Sequence, residues 1–450
     1  MKVKLSIKPL VIALSLFGAT AALADITIGV NVSATGPAAV LGGPQKNTTQ
    51  LFPTTIAGEK INWVVLDDAS DPTATAKNVS KLLTENKVDV LFSGTTTPGV
   101  MATAGPAADT KTPLIALAPN RLDGERFKWT FTMPQPIGLM AEPLLEHAKS
   151  KGYKTIGFLG YHPDAYGEVW IKAMEALSPK YGVTFGPIEG FARTDTSVTG
   201  QAVKLISVKP DAVLVVASGS PAAMAHSTLA ERGYKGQIYQ THGAPSPAFL
   251  KNGGKAVENG VLVAGPLLEW DQLADSHPSK KVGGEYAKAY EAKFGKDSLS
   301  SFGGHIWDAW AITSRAIPVA LKKAKPGTAE FRAALRDAIE SEREIAGAHG
   351  VFNFSPTDHS GFDSRARWRH VDWPALKPLL SPGRHKLIGC TRRWQGLMLA
   401  RGNPLKIGSL ADLAKREARF VQRQPGSGTR VLTDHLLALH RVSPSALVGP

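Results

Sequence analysis

The sequence has few cysteines and no long apolar runs, which excludes several large classes of protein. Its 450 residues include one cysteine, Cys390, so no disulfide can form within the chain. A folded body must therefore rest on burial of a hydrophobic core, which a chain of this length can achieve. After the first residues no stretch approaches the roughly 18 apolar residues of a membrane span. We expect a soluble protein.

The patterns of common catalytic sites are also missing from the sequence. No cluster of His, Cys, Asp and Glu has metal-ligand spacing. Neither a P-loop nor a Gly-x-Ser-x-Gly turn between a strand and a helix occurs. Ser218-Gly219-Ser220 follows a predicted strand, but no motif provides a base for it. We therefore expect a protein that is not an enzyme and that needs no metal or other cofactor.

Excess positive charge is absent from the body of the chain, although the whole sequence carries a net charge of +14. Residues 25–364 contain 33 basic and 34 acidic residues, whereas residues 365–450 contain 16 basic and four acidic ones. Basic residues in the body are not interleaved with aromatic ones. This distribution argues against nucleic-acid binding and indicates a composite chain.

The first 24 residues have the pattern of a secretory signal peptide. Three lysines within the first eight residues precede an apolar run over residues 11–22, and Ala22-Leu23-Ala24 fits the small-x-small cleavage pattern. We expect export to the periplasm and a mature chain that begins at Asp25. An uncleaved membrane anchor is the alternative interpretation.

From residue 25 onward, predicted strands alternate with predicted helices. Asp71-Pro72, for example, is expected to open a helix, with Asp as N-cap and Pro at the first helical position. The alternation restarts near Lys154. Two such units predict two α/β lobes with mostly parallel sheets and helices on both faces. Because ligands bind beyond the carboxyl ends of parallel strands, we expect a site in the cleft between lobes that close by a hinge.

Five short segments after the leader carry a family resemblance through their order and spacing. Over residues 25–367 the chain resembles the type I periplasmic binding proteins, specifically the leucine/isoleucine/valine receptors of ABC transporters. The resemblance implies a first lobe of about 25–143 plus part of 270–330, and a second of about 144–269 plus part of 330–367. The segments are Ser33-Ala34-Thr35-Gly36-Pro37, Leu66-Asp67-Asp68-Ala69-Ser70-Asp71-Pro72, Ser93-Gly94-Thr95-Thr96-Thr97-Pro98, Asp164-Ala165-Tyr166-Gly167-Glu168 and Tyr239-Gln240-Thr241-His242-Gly243.

The resemblance also implies a ligand cradle in the loops that follow strands. The threonine turn after Gly94 matches the loop that holds the ligand carboxylate, and a helix N-terminus there would attract an anion. One aromatic residue would close over the ligand from the second lobe, and two apolar residues would contact its side chain. A plain helix cap, a half-buried surface tyrosine and core packing are the respective alternatives. The predicted binding residues are Thr95, Thr96, Thr97, Ala118, Asn120, Tyr166, Leu41 and Phe302.

His242 is the main departure from the amino-acid receptors. Those relatives place a carboxylate at this position to hold the ligand's ammonium group. Leaving a buried charge without its partner typically costs about 3–5 kcal/mol, unless Asp164 or Asp308 substitutes. We therefore predict that His242 contacts a ligand that has a carboxylate and an apolar body but no α-ammonium, such as an aromatic or short branched acid. The alternative is that His242 only orders its loop.

The end of the chain resembles a different binding protein. Residues 394–450 are similar to a fragment of a molybdate-type, type II binding-protein domain, and residues 368–393 read as a linker. The Gly426-Ser427-Gly428-Thr429 turn could cradle an oxyanion, but half of such a site is missing and we do not expect binding. Apolar and polar residues do not alternate regularly over residues 368–374, and Pro374 would interrupt a strand there. We therefore expect a frameshift or gene fusion near Arg367, and a second lobe without its last strand.

The sequence therefore predicts the monomeric substrate-binding component of an ABC transporter. It would capture a small carboxylate, either a hydrophobic amino acid or an aromatic or aliphatic acid, and deliver it to the permease subunits in the membrane. The alternative is a periplasmic sensor of the same fold that feeds a signalling partner. We predict no binding to nucleic acid.

Overall fold

The structure, a computed structural model, describes residues 25–258, 260–362 and 369–372, with the single residues 412, 437 and 443. Inter-residue contacts divide the chain into two units, Met1–Cys390 and Thr391–Pro450. The expected signal peptide, and all but those three residues of the C-terminal resemblance, lie outside the described residues. Everything that follows concerns the first unit.

The first lobe is built on a six-stranded sheet in the order β2-β3-β1-β4-β5-β6. All neighbours are parallel except β2, which pairs antiparallel with β3. Every residue of the central strand β1 except Thr27 is buried, as expected for a parallel sheet covered on both faces. The strands are β1 (Ile26–Val32), β2 (Thr55–Ile56), β3 (Glu59–Asp67), β4 (Val90–Ser93), β5 (Leu114–Ala116) and β6 (Thr130–Thr132).

The second lobe is built on another six-stranded sheet, in the order β14-β11-β10-β9-β7-β8. Its strands are parallel apart from β14, which pairs antiparallel with β11. Together the two sheets confirm the predicted two-lobed α/β fold. The strands of the second sheet are β7 (Thr155–Tyr161), β8 (Thr184–Phe191), β9 (Ala212–Val216), β10 (Gln237–Gln240), β11 (Gly260–Ala264) and β14 (Arg369–Asp372).

Helices connect the strands and cover both sheets. The helix expected after Asp71 is confirmed: the Asp71 carboxylate accepts from the Ala74 N–H at 2.7 Å, and Pro72 is the first helical residue. The helices are α1 (Ala39–Thr49), α2 (Pro72–Thr84), α3 (Thr97–Asp109), α4 (Gly124–Lys128), α5 (Ile137–Ser150), α6 (Ala165–Leu177), α7 (Thr199–Val208), α8 (Gly219–Glu231), α9 (Pro247–Gly253), α10 (Pro278–Phe294), α11 (Ser301–Leu321) and α12 (Ala329–Ser341). A small hairpin adds β12 (Ile345–Ala346) and β13 (Val351–Phe352).

Two hydrophobic cores define which segments belong to each lobe. The first core joins β1 to α11, α12 and the chain as far as Phe362, and the second joins α5–α9 to the second sheet. Buried residues between Phe331 and Phe362 pack in the first-lobe core, whereas the sequence had placed part of 330–367 in the second lobe. The cause is the apolar stripe of α12, which lies in that core: Phe331, Ala334, Leu335, Ala338 and Ile339.

The strand β14 corrects a second expectation. We expected the second lobe to lack its last strand, yet Arg369–Asp372 pairs with β11, from Ala264 opposite Arg369 to Val261 opposite Asp372. An edge strand has to pair its backbone on one side only, so poor alternation of side chains does not prevent pairing. Among the described residues, no helix is long and apolar enough to cross a bilayer.

Candidate functional site

A cavity lies where the carboxyl ends of strands from both sheets meet. The first lobe contributes residues that follow β4 and β5, and the second lobe contributes residues that follow β7, β8, β9 and β10. Helix α11 adds two more residues. This is the position where open parallel sheets bind ligands. The lining residues are Leu41, Thr95, Thr96, Thr97, Leu117, Ala118, Pro119, Pro134, Tyr166, Arg193, Ser218, His242, Gly243, Phe302 and His305.

The threonine turn after β4, residues Thr95–Thr97, offers backbone N–H groups to the cavity, because two of its hydroxyls already donate elsewhere. The Thr95 hydroxyl donates to Gln45 Oε1 at 2.6 Å, and the Thr97 hydroxyl donates to the Pro119 carbonyl at 2.8 Å. Thr96 is the N-cap of α3 and accepts from the Gly99 N–H at 3.3 Å. The Thr97 N–H lies in the first turn of α3 and so has no intrahelical acceptor. This helix start is suited to an anion.

Gly94 is the residue that allows this turn to form. Its φ is +82°, and a Cβ on it would lie 2.4 Å from Val100 Cγ2. Only glycine combines that left-handed backbone with so close an approach to α3. The turn is therefore set by the sequence, as expected from the Gly-Thr-Thr-Thr segment.

Tyr166 and His242 meet on the second-lobe side of the cavity. The Tyr166 hydroxyl donates to Thr241 Oγ1 at 2.7 Å and lies 3.4 Å from His242 Nδ1. The His242 ring stacks over Trp170, with ring centres 6.3 Å apart. Burial, aided by repulsion from His349, lowers the pKa of His242 to about 3. His242 is therefore neutral at physiological pH, and its ring offers hydrogen bonds rather than a charge.

Arg193 brings a cation to the cavity but shares it with Asp164. The guanidinium donates from Nε and Nη2 to the two carboxylate oxygens of Asp164, both at 2.9 Å, and its carbon lies 4.2 Å from the centre of the Tyr161 ring. Asp164 also accepts from the Tyr166 N–H as the N-cap of α6. The carboxylate is thus fully engaged, and it is Arg193 that lines the cavity.

No carboxylate is among the described residues that line the cavity. Asp164 faces Arg193, and Asp308 is completely buried, where it accepts from His349 Nδ1 at 3.0 Å and from the N–H groups of Ala348 and His349. Neither aspartate is therefore placed to take over the function of the carboxylate that His242 replaces. The charged lining group is a cation.

Eight of the nine predicted binding residues line this one cavity, and Asn120 does not. The Asn120 amide donates to the Ala118 carbonyl at 3.2 Å and to Thr132 Oγ1 at 3.0 Å, so it braces the neighbouring loop. Sequence reasoning missed Arg193, Ser218 and His305. The first two follow β8 and β9 directly, a position that the strand-end rule could have indicated. No comparable signal marks His305.

A family model described as periplasmic binding protein matches residues 25–367, about three quarters of the chain. The chain belongs to this family. It is a ligand-binding receptor of the type I periplasmic binding-protein fold, and the family implies a periplasmic location. A second model, the PBP superfamily domain, matches residues 333–450 and so includes the segment that resembles a type II binding protein.

Several solved structures are similar over the receptor body. Rp1789 of Rhodopseudomonas palustris CGA009 is 42% identical, with a TM-score of 0.77, over 82% of this chain and 100% of that one. An extracellular ligand-binding receptor from Rhodopseudomonas palustris HaA2 is also 42% identical, with a TM-score of 0.77, over 81% and 100%. The leucine-binding protein LivK of Thermotoga maritima is 21% identical, with a TM-score of 0.63, over 76% and 93%, and shares the fold.

A curated relative matches a short part of the sequence only. YvgK of Bacillus subtilis, an uncharacterized protein, is 38% identical over 76 residues, which is 17% of this chain. The chain spans about a quarter of the length of that relative.

Proposed function

We propose that this receptor is the substrate-binding component of an ABC transporter and that it captures a small carboxylic acid without an α-ammonium group. The observation that carries the proposal is the charge of the cavity lining, which includes the guanidinium of Arg193 and no carboxylate. A ligand ammonium would be buried without a counter-ion. A ligand carboxylate would meet Arg193, the start of α3 and the N–H of Thr97.

The cost of the wrong charge sets the expected selectivity. Leaving a buried charge unpaired typically costs about 3–5 kcal/mol, which corresponds to roughly two to four decades in affinity. His242 cannot offset this cost for an ammonium, because its pKa near 3 leaves the ring neutral and without negative charge. Two features therefore select against amino acids: the neutral His242 in place of a carboxylate, and the pairing of Asp164 with Arg193.

The remaining lining indicates an apolar ligand body. Leu41, Leu117 and Phe302 supply apolar contacts, and Tyr166 is an aromatic wall that is 6% exposed. Aromatic and short branched acids satisfy both the apolar walls and the anion-binding groups.

Capture involves both lobes. The threonine turn and Phe302 belong to the first lobe, whereas Tyr166, Arg193 and His242 belong to the second, so a full set of contacts requires the lobes to close. A ligand that makes contacts from both lobes binds the closed form better and shifts the population toward it. The permease then distinguishes loaded from empty receptor by that closed form.

The decisive experiment compares two ligands that differ by one group. Leucine and 4-methylpentanoate share the same branched body and carboxylate, and only leucine carries the ammonium. Isothermal titration of the purified protein is expected to show that 4-methylpentanoate, benzoate or both bind, and that leucine binds at least a hundredfold more weakly or not at all. Tighter binding of leucine would overturn the proposal.

A variant at position 242 tests the same reasoning in reverse. His242→Asp restores a carboxylate to the cavity, so leucine binding is expected to improve and acid binding to weaken, each by at least tenfold. Asn252→Asp is the matched control, because it adds the same charge on the exposed α9 away from the cavity. Uptake of the labelled acid by cells with and without the receptor tests delivery to a permease. Unchanged uptake would leave binding intact but refute the transport assignment.

A further inference from the structure

His305 is a buried cavity residue that the proposed carboxylate site does not use. It lies near the start of α11, its side chain is 1% exposed, and it lines the cavity beside Phe302. Its Nδ1 atom has no hydrogen-bond partner among the described residues. Since buried polar atoms are nearly always satisfied, an unpartnered nitrogen at a ligand cavity points to a partner supplied by the ligand.

The ring of His305 stacks on a second histidine that is itself fixed by hydrogen bonds. It stacks on His349 with ring centres 4.1 Å apart and an angle of 20° between the planes. His349 is fixed in turn by Asp308, which accepts from its Nδ1, and by Gln135, which donates to its carbonyl at 2.9 Å. At Gly304 a Cβ would lie 2.5 Å from His349 Cε1, so the absence of a side chain at this position leaves room for the His349 ring.

The protonation state of His305 limits what the ring can bind. Burial, with repulsion from His349 and His242, holds its pKa well below the ordinary value. The ring is therefore neutral at physiological pH and offers one N–H donor and one bare acceptor nitrogen. A second carboxylate on the ligand would find no charge here, whereas a hydroxyl can donate to one nitrogen or accept from the other.

We propose that His305 is a specificity-determining residue that hydrogen-bonds a hydroxyl group carried by the ligand in addition to its carboxylate. This inference rests on the proposed function, because it assigns the carboxylate to the side of Arg193 and the threonine turn. Asp308 and His349 act as positioning residues, which fix the ring without touching the ligand. An acid that lacks the hydroxyl leaves a buried nitrogen unpaired and binds more weakly.

Matched acids that differ by one hydroxyl test the proposal. The probes are benzoate with its three monohydroxy isomers, and 3-phenylpropionate with its three ring-hydroxylated isomers. Titration of the wild-type protein is expected to give at least one hydroxylated acid that binds tenfold or more tightly than its parent. In His305→Phe, which keeps an aromatic ring against His349, that ratio is expected to fall to within twofold.

A control variant separates loss of specificity from general damage. His226→Phe removes another buried histidine, on α8 and outside the cavity, and is expected to keep the wild-type ratio. If His305→Phe does not fold by circular dichroism, nitrogen-15 histidine spectra of the wild-type protein decide instead. A histidine resonance is then expected to shift with the hydroxylated acid and not with its parent.

The outcomes distinguish this inference from the function beneath it. Acids that bind with equal affinity whether or not they carry a hydroxyl, or a ratio that survives in His305→Phe, would overturn the role of His305 and leave carboxylate capture intact. An identical spectral response to parent and hydroxylated acids would have the same meaning. Failure of every acid to bind would overturn both proposals.

Discussion

Gly219 offers a direct test of whether closure of the lobes controls affinity. It is the first residue of α8 in the second lobe, and a Cβ placed on it would lie 2.4 Å from Val40 Cγ1, which belongs to α1 of the first lobe. Gly219 is not among the residues that line the cavity. Gly219→Ala therefore adds a methyl group at the contact between the lobes and changes no ligand contact.

The size of the effect follows from two separable terms. The φ of Gly219 is +56°, and a left-handed alanine costs about 1–2 kcal/mol, a strain present whether the lobes are open or closed. The collision with Val40 occurs only when they are closed, and overpacking of this kind costs about 1–3 kcal/mol. Only the second term enters the dissociation constant, so we expect the Kd to rise between about fivefold and 150-fold.

A double-mutant cycle provides the assay. Titration with the best-bound carboxylic acid is expected to show weakened binding in Gly219→Ala and recovery to within a few-fold of wild type in Val40→Ala/Gly219→Ala. The thermal midpoint of the unliganded protein should fall in both variants, because the backbone strain remains. A Kd that Gly219→Ala leaves unchanged, or that Val40→Ala does not restore, would refute the view that the lobes must reach this contact to hold the ligand.

Two further predictions concern charge. Arg193→Gln removes the guanidinium that pairs with Asp164 and leaves that carboxylate uncompensated beside the cavity, so acids should bind at least tenfold more weakly. The double variant Arg193→Gln/Asp164→Asn should recover part of this loss. Affinity in Arg193→Gln equal to that of the wild type would contradict the role of Arg193. Burial lowers the pKa values of His226 and His242 to about 3. Between that pH and about 6.5, these two residues bind protons in the unfolded chain but not in the folded one. Their contribution to stability is complete above pH of about 6.5 and is lost as the pH falls toward 3, at up to about 1.4 kcal/mol per pH unit for each residue. Urea unfolding at pH 7 and pH 5 measures this loss, and a His226→Phe variant with an undiminished slope would contradict it.

Local sequence predicted the parts of the site that local geometry determines. The threonine turn needs a glycine at positive φ followed by a helix start, and both features can be read from the Gly94–Val100 stretch. The positions of Tyr166 and His242 in the site were implied by the family resemblance, and their meeting agrees with the rule that loops after parallel strands lie at one edge of a sheet. The same rule accounts for the lining role of Ala118.

What escaped prediction depends on contacts between segments far apart in the chain. The stripe on α12 shows that the helix is buried, but not which of two sheets covers it. His305 lies in an apolar helix, and the sequence gives no sign of its stack on His349, 44 positions later. Asn120 matches a binding position by order along the chain, yet its amide reaches Thr132. Arg193 neutralises an aspartate that sequence reasoning had left available for an ammonium.

The division of the cores has a consequence for how the protein is made. The second lobe is almost continuous, from α5 to β11, whereas the first-lobe core joins Ile26 and Val30 to Ile306 and Phe331. As synthesis proceeds from the N-terminus, the first sheet therefore stays uncovered on one face until α11 and α12 have emerged. We therefore expect the second-lobe core to form before the first-lobe core is complete, which is the reverse of the order of the lobes in the sequence.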